Sequence, residues 1–135
     1  MDDGSVAHGP VLGIGVDSVD IEEMARFCVD REGSFARRTF SASERAEAYA
    51  RADWASVLAG KFAVKEAVFK ALAWRTAEGF DFRAVETLED ANGRPCVTMG
   101  EGTALAPVFT EAGVRELLVS ITNERGLATA FVLAQ

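Results

Sequence analysis

The spacing of apolar and polar positions predicts that the chain begins with a buried strand followed by a short helix. Residues 11–17 alternate glycine with aliphatic residues, which is typical of a strand, and this strand ends at Asp17. Gly13 and Gly15 indicate that another backbone approaches it closely. An amphipathic helix should follow, because four residues have helical spacing: Ile21, Met24, Ala25 and Cys28.

Two further helices are predicted in the middle of the chain. Ser41 and Glu44 have the spacing of a capping box, which predicts a short helix that runs to about Arg51. The strongest helix signal covers residues 54–74, where Ala, Leu, Lys and Phe dominate. Its apolar residues fall on one stripe that should face the core: Leu58, Phe62, Phe69 and Leu72. Gly79 should end this pattern.

The C-terminal half predicts two β-hairpins. Asn92-Gly93 lies between two β-prone segments, residues 85–90 and 94–99, and this dipeptide favours a type I′ turn. Residues 117–122 and 127–133 are also apolar and β-prone, and a short polar connection joins them.

A helix over residues 103–112 should separate the hairpins and end at Gly113. This order of elements predicts a single α+β domain over residues 11–135, with a mostly antiparallel sheet packed on a long central helix. Residues 1–10 are polar and without pattern, and we expect a flexible N-terminal tail there.

Composition narrows the classes of function. The chain has 135 residues and a net charge of −7, which argues against nucleic acid or an anionic membrane as the main partner. No apolar run approaches the roughly 20 residues that cross a bilayer, and no signal peptide is apparent, so we expect a cytoplasmic protein. Cys28 and Cys96 lack metal-site spacing and are predicted to be reduced thiols.

The scarcity of histidine excludes several catalytic classes. His8 is the single histidine, and it falls in the predicted tail. Ser-His-Asp triads, Cys-His pairs and histidine-ligated zinc are therefore excluded. Any proton transfer near neutral pH must use carboxylates, lysines, backbone groups or water.

Charged residues of the long helix, together with Asp17, are the candidates for chemistry. Lys61 and Lys65 share one helix face, as do Glu66 and Lys70, because residues four apart are neighbours. Glu66 and Lys70 could form an ordinary surface pair, and Asp17 could cap the helix that begins near residue 20. Alternatively, the two acids hold a divalent cation while nearby lysines hold phosphates, but spacing alone leaves both interpretations open.

Five segments have a combined pattern that matches a known family. Residues 13–21 read G-I-G-V-D-S-V-D-I, and residues 58–72 read L-A-G-K-F-A-V-K-E-A-V-F-K-A-L. Residues 38–44, 93–95 and 119–124 read R-T-F-S-A-S-E, G-R-P and V-S-I-T-N-E. In the same order, these segments resemble the signatures of the holo-acyl-carrier-protein synthase family.

The resemblance implies a fold, a cofactor and a set of site residues. It implies the 4′-phosphopantetheinyl transferase fold and a homotrimer with active sites between subunits. Asp17 and Glu66 would be the ligands of Mg²⁺, which also contacts the diphosphate of coenzyme A, and with Lys70 they would form the catalytic set. Lys65 and Lys70 would neutralise phosphate charge. Lys61, at a position where the family usually has arginine, would contact the 3′-phosphate region of the nucleotide.

The resemblance also implies the reaction. The serine hydroxyl of an apo acyl carrier protein or carrier domain would attack the β-phosphate of coenzyme A, with release of adenosine 3′,5′-bisphosphate. Positioning and charge neutralisation suffice for this chemistry. Glu66 would be available to activate the serine, directly or through water.

The chain departs from the family pattern at three places, of which one, Ala73 in place of a glycine that often ends the long helix, should only lengthen that helix. Asn123 stands where many members have histidine, and an amide cannot accept a proton as imidazole does. Glu22 and Glu23 stand where the first helix usually carries arginine. Carrier docking is therefore assigned to nearby arginines, for which a solvated basic cluster is the alternative: Arg26, Arg31, Arg37 and Arg38.

These departures keep two other functions open. The first is a non-catalytic trimeric binding or assembly module that retains the fold. The second is an unrelated Mg²⁺-dependent nucleotide enzyme, although no other phosphate-binding motif is present.

Overall fold

A computed structural model describes residues 10–73, 75–76, 81–98 and 105–135. Three predictions lie outside these ranges: the tail before Pro10, the helix break at Gly79 and the first residues of the helix predicted over 103–112. The boundary between tail and domain therefore stays a prediction.

The described chain forms an α+β fold, as predicted. The first half contains strand β1 and four helices: β1 Gly13–Asp20, α1 Ile21–Cys28, α2 Ser34–Thr39, α3 Ala42–Tyr49 and α4 Trp54–Leu72. The second half contains a short 3₁₀ helix, four strands and one α-helix: 3₁₀ Phe82–Ala84, β2 Thr87–Glu89, β3 Pro95–Val97, α5 Ala106–Ala112, β4 Leu117–Glu124 and β5 Leu127–Ala134. Helix α2 was not predicted from the sequence. None of the described helices is long and apolar enough to span a bilayer.

The strands form two antiparallel sheets. The larger has the order β1-β5-β4, and the smaller pairs β2 with β3 over three residues. Helix α4 packs across the larger sheet, so the predicted antiparallel sheet on a long central helix is confirmed. On the other side of α4 lie α1, α2 and α3, and a second buried cluster fills the space between them.

Strand β1 approaches α4 so closely that two of its positions admit only glycine. A Cβ atom on Gly13 would lie 1.9 Å from the carbonyl oxygen of Ala71, and one on Gly15 would lie 1.9 Å from that of Ala67. Real Cβ atoms do not come this near to backbone oxygens. The predicted close approach of another backbone is confirmed, and the other backbone is that of α4.

The buried surface of α4 is wider than one stripe. Leu58 and Leu72 are fully buried, as predicted, but Phe62 is only half-buried and Phe69 is exposed. The single-stripe prediction is wrong because α4 is covered by the sheet on one side and by α1 and α3 on the other. Even Lys61 and Lys65 are buried as a result.

The two hairpins have turn types that the sequence did not indicate. Gly93 has a positive φ of 79° but Asn92 does not, so the predicted type I′ turn at Asn92-Gly93 is wrong. The Asp90 carboxylate instead accepts hydrogen bonds from the backbone N–H groups of Asn92 and Arg94 and stabilises a longer loop. A two-residue turn with both φ values positive occurs at Arg125 and Gly126, between β4 and β5.

The sheet face opposite α4 is apolar and uncovered in the isolated chain. Residues of all three strands contribute exposed side chains to it: Ile14, Val16, Leu118, Leu127 and Phe131. Phe131 of the central strand β5 lies opposite Val16 on one side and Ser120 on the other. A contiguous apolar face of this kind marks an interaction surface.

Replacing Gly15 tests the contact between β1 and α4. We expect Gly15→Ala to lower the free energy of unfolding by about 3 kcal/mol or more, because backbone atoms must separate to admit the methyl group. Gly113→Ala is the matched control: its φ is 73° but no atom lies within 4 Å of the added Cβ, so only backbone strain opposes it. That strain should cost about 1 kcal/mol. Equal losses in urea denaturation would contradict the account.

Candidate active site

Asp17 lies at the edge of the larger sheet and faces α4. Side chains alternate along β1, so Asp17 is on the same side as Gly13 and Gly15. The ammonium group of Lys70, on α4, donates to Asp17 Oδ1 at 2.9 Å and to the Val16 carbonyl oxygen at 3.1 Å. This ion pair joins the end of the strand to the last turn of the helix.

Glu66 belongs to the same cluster. It is half-buried one turn before Lys70, and this burial raises the pKa of its carboxyl group. The negative charge of Asp17 raises the pKa further, and the positive charge of Lys70 opposes the rise. Within the described parts of the chain, no group forms a hydrogen bond or ion pair with the Glu66 carboxylate. The structure thus brings together the three residues predicted to be catalytic, with one carboxylate free to bind a ligand.

This arrangement distinguishes between the two interpretations of Asp17 and Glu66 that the sequence left open. Asp17 does not cap α1, because the side chain of Asp20 accepts the capping hydrogen bond from the Glu23 backbone N–H at 2.9 Å. Lys70 forms its ion pair with Asp17 rather than with Glu66. The interpretation as an ordinary helix pair is therefore wrong as well, and both acids retain oxygens that could reach a ligand.

The cluster suits Mg²⁺ held jointly with a substrate. No group of three or more potential metal ligands occurs among the residues that the structure describes. Asp17 and Glu66 supply two hard carboxylates, and Mg²⁺ is commonly bound by one or two carboxylates while phosphate oxygens and waters complete its octahedron. Two acids with a neighbouring lysine fit that chemistry.

Lys65 occupies a different environment from the predicted phosphate site. Its side chain is fully buried, and its ammonium donates to Glu44 Oε1 at 2.7 Å, to the Phe82 carbonyl oxygen at 2.8 Å and to that of Val85 at 2.7 Å. An ammonium group has three donors, and all three are used. The structure therefore does not support the predicted contact of Lys65 with phosphate.

Lys61 is also buried, although it reaches a cavity. Its ammonium contacts the Glu47 carboxylate and donates to the Thr87 carbonyl oxygen at 2.6 Å. The predicted contact between Lys61 and the 3′-phosphate region would require the ammonium to exchange one of these partners. That role stays a prediction.

A cavity of about 220 Å³ beside β4 brings together several of the family-like motifs, and we name it the β4-edge cavity. Lys61 of the long helix, Gly93 and Pro95 of the smaller hairpin and Asn123 of β4 contribute to its lining. These residues come from three separate segments of the sequence, so the fold gathers them at one place.

The β4-edge cavity and the acidic cluster lie at opposite edges of the larger sheet. Asp17 of β1 pairs with Ala130 of the central strand, which pairs with Ile121 of β4 on its other side. The lining of the cavity includes Ile121 but neither Asp17 nor Glu66. Asn123 and the acids are therefore on different sides of a single chain.

The predicted docking arginines lie on the helices next to the acidic cluster. Arg26 is exposed on α1, and Arg37 and Arg38 are exposed on α2. Sequence reasoning missed an aromatic pocket between these helices and β1, where Phe27 and Phe35 stack with ring centroids 5.1 Å apart. The pocket also includes Asp17. In the sequence, only isolated phenylalanines indicate this pocket.

Comparison with known proteins identifies the family of this chain. The family model of the 4′-phosphopantetheinyl transferase superfamily (ACPS) matches residues 13–131, a range that contains Asp17, Glu66, Lys70 and Asn123. The chain belongs to this superfamily. One relative is the holo-[acyl-carrier-protein] synthase of Chlorobaculum tepidum. It is 36% identical to this chain over 123 residues, which are 90% of this chain and 97% of the relative.

Solved structures of phosphopantetheinyl transferases have the same fold. The holo-[acyl-carrier-protein] synthase of Neisseria meningitidis is similar with a TM-score of 0.78 and 29% identity, over 93% of this chain and 99% of that one. The complex of the Chronobacterium ammoniagenes enzyme with coenzyme A has a TM-score of 0.73 and 30% identity, over 91% of this chain and 96% of that one.

The charges around Glu66 predict two opposite shifts of its pKa. Asp17→Asn removes the neighbouring negative charge and should lower the pKa of Glu66, whereas Lys70→Met removes the positive charge and should raise it. Carboxyl-carbon NMR titration of each variant would measure both shifts. Glu116→Gln, at the far end of the sheet, should leave the titration of Glu66 unchanged. Shifts of the same sign in the two cluster variants would contradict the geometry.

Proposed function

We propose that this phosphopantetheinyl transferase is a holo-acyl-carrier-protein synthase. It transfers the 4′-phosphopantetheine group of coenzyme A to a serine of an apo acyl carrier protein or carrier domain and releases adenosine 3′,5′-bisphosphate. The observation that carries this proposal is the cluster of Asp17, Glu66 and Lys70 in a chain of this family. The relatives named holo-[acyl-carrier-protein] synthase support it, as does the related enzyme solved with coenzyme A.

Each residue of the cluster has a chemical role in this proposal. Asp17 and Glu66 would hold Mg²⁺, which when bound would withdraw charge from the diphosphate of coenzyme A. Lys70 neutralises phosphate charge, and its hydrogen bond to Asp17 keeps the ammonium at the edge of the site. Lys70 is half exposed, so a ligand can reach it from solvent.

The serine proton needs an acceptor, and Glu66 is the candidate. The only histidine in the sequence is His8. The Glu66 carboxylate forms no hydrogen bond or ion pair with the residues that the structure describes, so its oxygens are available to accept a proton. We propose that Glu66 accepts this proton, directly or through water.

We also propose a homotrimer with active sites between subunits. Two observations support an assembly. The apolar sheet face around Phe131 is uncovered in a single chain. The acidic cluster and the β4-edge cavity lie at opposite edges of that sheet, so a neighbouring copy could bring its cavity beside the acids of the first copy.

The carrier is proposed to dock beside the acidic cluster, on α1 and α2. Arg26, Arg37 and Arg38 offer positive charge there, although the first turn of α1 is acidic at Glu22 and Glu23. A carrier complementary to both the arginines and these glutamates would have surface charges of both signs, unlike a uniformly acidic carrier. We propose a specialised carrier domain, Mg²⁺ dependence and a cytoplasmic location for this enzyme.

The second candidate is a non-catalytic trimeric module. Asn123 favours it, because this position has histidine in many members of the family. The test of transfer separates the two functions: a chain that binds coenzyme A but modifies no carrier would support the module.

Removal of either acid should slow transfer strongly. Asp17→Asn and Glu66→Gln should each lower the rate by about 10²- to 10³-fold, because each removes a carboxylate that would hold Mg²⁺ at the diphosphate. Mass spectrometry of an apo carrier incubated with the enzyme, coenzyme A and Mg²⁺ measures the rate as an added phosphopantetheine. Glu116→Gln is the matched control and should retain full activity. Near-normal rates in either cluster variant would show that the site lies elsewhere.

The sheet face predicts an effect of charge on assembly. Phe131→Arg should dissociate the trimer into monomers, because an unpaired charge would be buried where three copies meet. Val29→Arg is the control, since Val29 is exposed on a different surface, after α1. Sedimentation velocity measures the oligomeric state of both variants. A wild-type chain that sediments as a monomer, or a trimer that survives Phe131→Arg, would refute the proposed interface.

A further inference from the structure

Two lysines of α4 and two glutamates of α3 form a paired set of ions inside the protein. Lys65 pairs with Glu44 at 2.7 Å, and both side chains are fully buried. Lys61 pairs with Glu47, closer to the surface. We call the four residues the Lys–Glu clamp.

The clamp binds the backbone of one segment, residues 82–89. Lys65 donates to the carbonyl oxygens of Phe82 and Val85, and Glu44 Oε2 accepts from the Thr87 N–H at 3.0 Å. The second pair, Lys61 and Glu47, bonds to the backbone of the same segment in the same way. Lys61 donates to the Thr87 carbonyl oxygen, and Glu47 Oε1 accepts from the Glu89 N–H at 3.0 Å.

The segment needs these bonds because its own strand pairing is short. Among the residues that the structure describes, strand β2 pairs with β3 alone, over three residues, and is not part of the larger sheet. Buried backbone groups require partners, and side chains supply them here in place of a neighbouring strand. The clamp therefore joins β2 to α3 and α4.

Strand β2 forms one wall of the β4-edge cavity. Thr87, Leu88 and Glu89 line the cavity together with Gly60 and Lys61 of α4. The distance between these walls is set by the bonds that hold β2 to the helix. Glu44 and Lys65 are absent from the lining themselves.

We propose that Glu44 and Lys65 are positioning residues for coenzyme A: without touching the ligand, they hold the β2 wall of the β4-edge cavity at the spacing that the nucleotide end of coenzyme A requires. This inference rests on the proposed function, which supplies the ligand, and on the predicted contact of the nucleotide's 3′-phosphate region with Lys61, which lines the cavity. It replaces the predicted role of Lys65 as a phosphate ligand. Substrate affinity, rather than the chemical step, should depend on the buried pair.

Two variants of the full-length chain test this role. Glu44→Gln removes the charge that faces Lys65. Because this variant leaves an unpaired buried ammonium and could fail to fold, the double variant Glu44→Met/Lys65→Met replaces both charges with apolar groups of similar size, a change that buried ion pairs often tolerate. Glu116→Gln is the matched control. Thermal unfolding identifies the folded variants, and calorimetry with coenzyme A measures affinity.

In the folded variants, we expect the dissociation constant for coenzyme A to rise about tenfold, which is a typical loss when a supporting residue is removed. The turnover number at saturating coenzyme A should stay within about threefold of wild type. Hydrogen exchange at the Thr87 amide should accelerate, because its acceptor is weakened in one variant and absent in the other. The control should match wild type in all three measurements.

Three results would overturn the proposal. A folded double variant with wild-type affinity for coenzyme A would show that the pair serves stability alone. Unchanged exchange at Thr87 would show that the clamp does not hold β2. Wild-type or tighter binding by Glu44→Gln would indicate that Lys65 contacts the ligand itself. If the wild-type chain binds coenzyme A but transfers nothing, the proposed function fails, while the comparison of affinities still tests the clamp.

Discussion

The backbone of β1 lies directly on the backbone of α4, and the positions of the charged groups in the site depend on this contact. Gly13 and Gly15 permit it, since a methyl group at either position would overlap a carbonyl oxygen of the helix. Asp17 follows on the same side of the strand and meets the ammonium of Lys70 at 2.9 Å. The cluster thus results from the alternation of side chains along β1 and from the absence of side chains at Gly13 and Gly15. Glu66 joins the cluster one helical turn before Lys70.

Much of this arrangement could be predicted from the sequence, because its signals are local. The alternation of glycine and aliphatic residues indicated β1 and its close neighbour. Ser41 and Glu44 indicated the start of α3, and both reciprocal hydrogen bonds of the capping box are present. Helix α4 was evident from composition. The family motifs then identified Asp17, Glu66 and Lys70 as a set, and the fold brings them together.

The errors have a common physical origin in partners that are distant along the chain. Lys65 was predicted to neutralise phosphate charge, but its partners are a glutamate 21 residues earlier and carbonyl groups 17 and 20 residues later. The two-residue turn of the larger hairpin occurs at Arg125, with φ of 53°, where the long pairing of β4 with β5 imposes the turn on a residue that does not favour it. Neither effect can be predicted from local sequence patterns.

The same lysine-rich helix therefore has two proposed roles. The side toward β1 carries Glu66 and Lys70, which we propose bind the ligand, and the side toward α3 carries Lys61 and Lys65, which we propose hold the wall of the β4-edge cavity. The most direct test of the account is a crystal structure with coenzyme A and Mn²⁺ in place of Mg²⁺, with the metal located by its anomalous signal. The account predicts one metal between the carboxylates of Asp17 and Glu66, in contact with the diphosphate. A metal bound elsewhere, or a diphosphate remote from both acids, would contradict it.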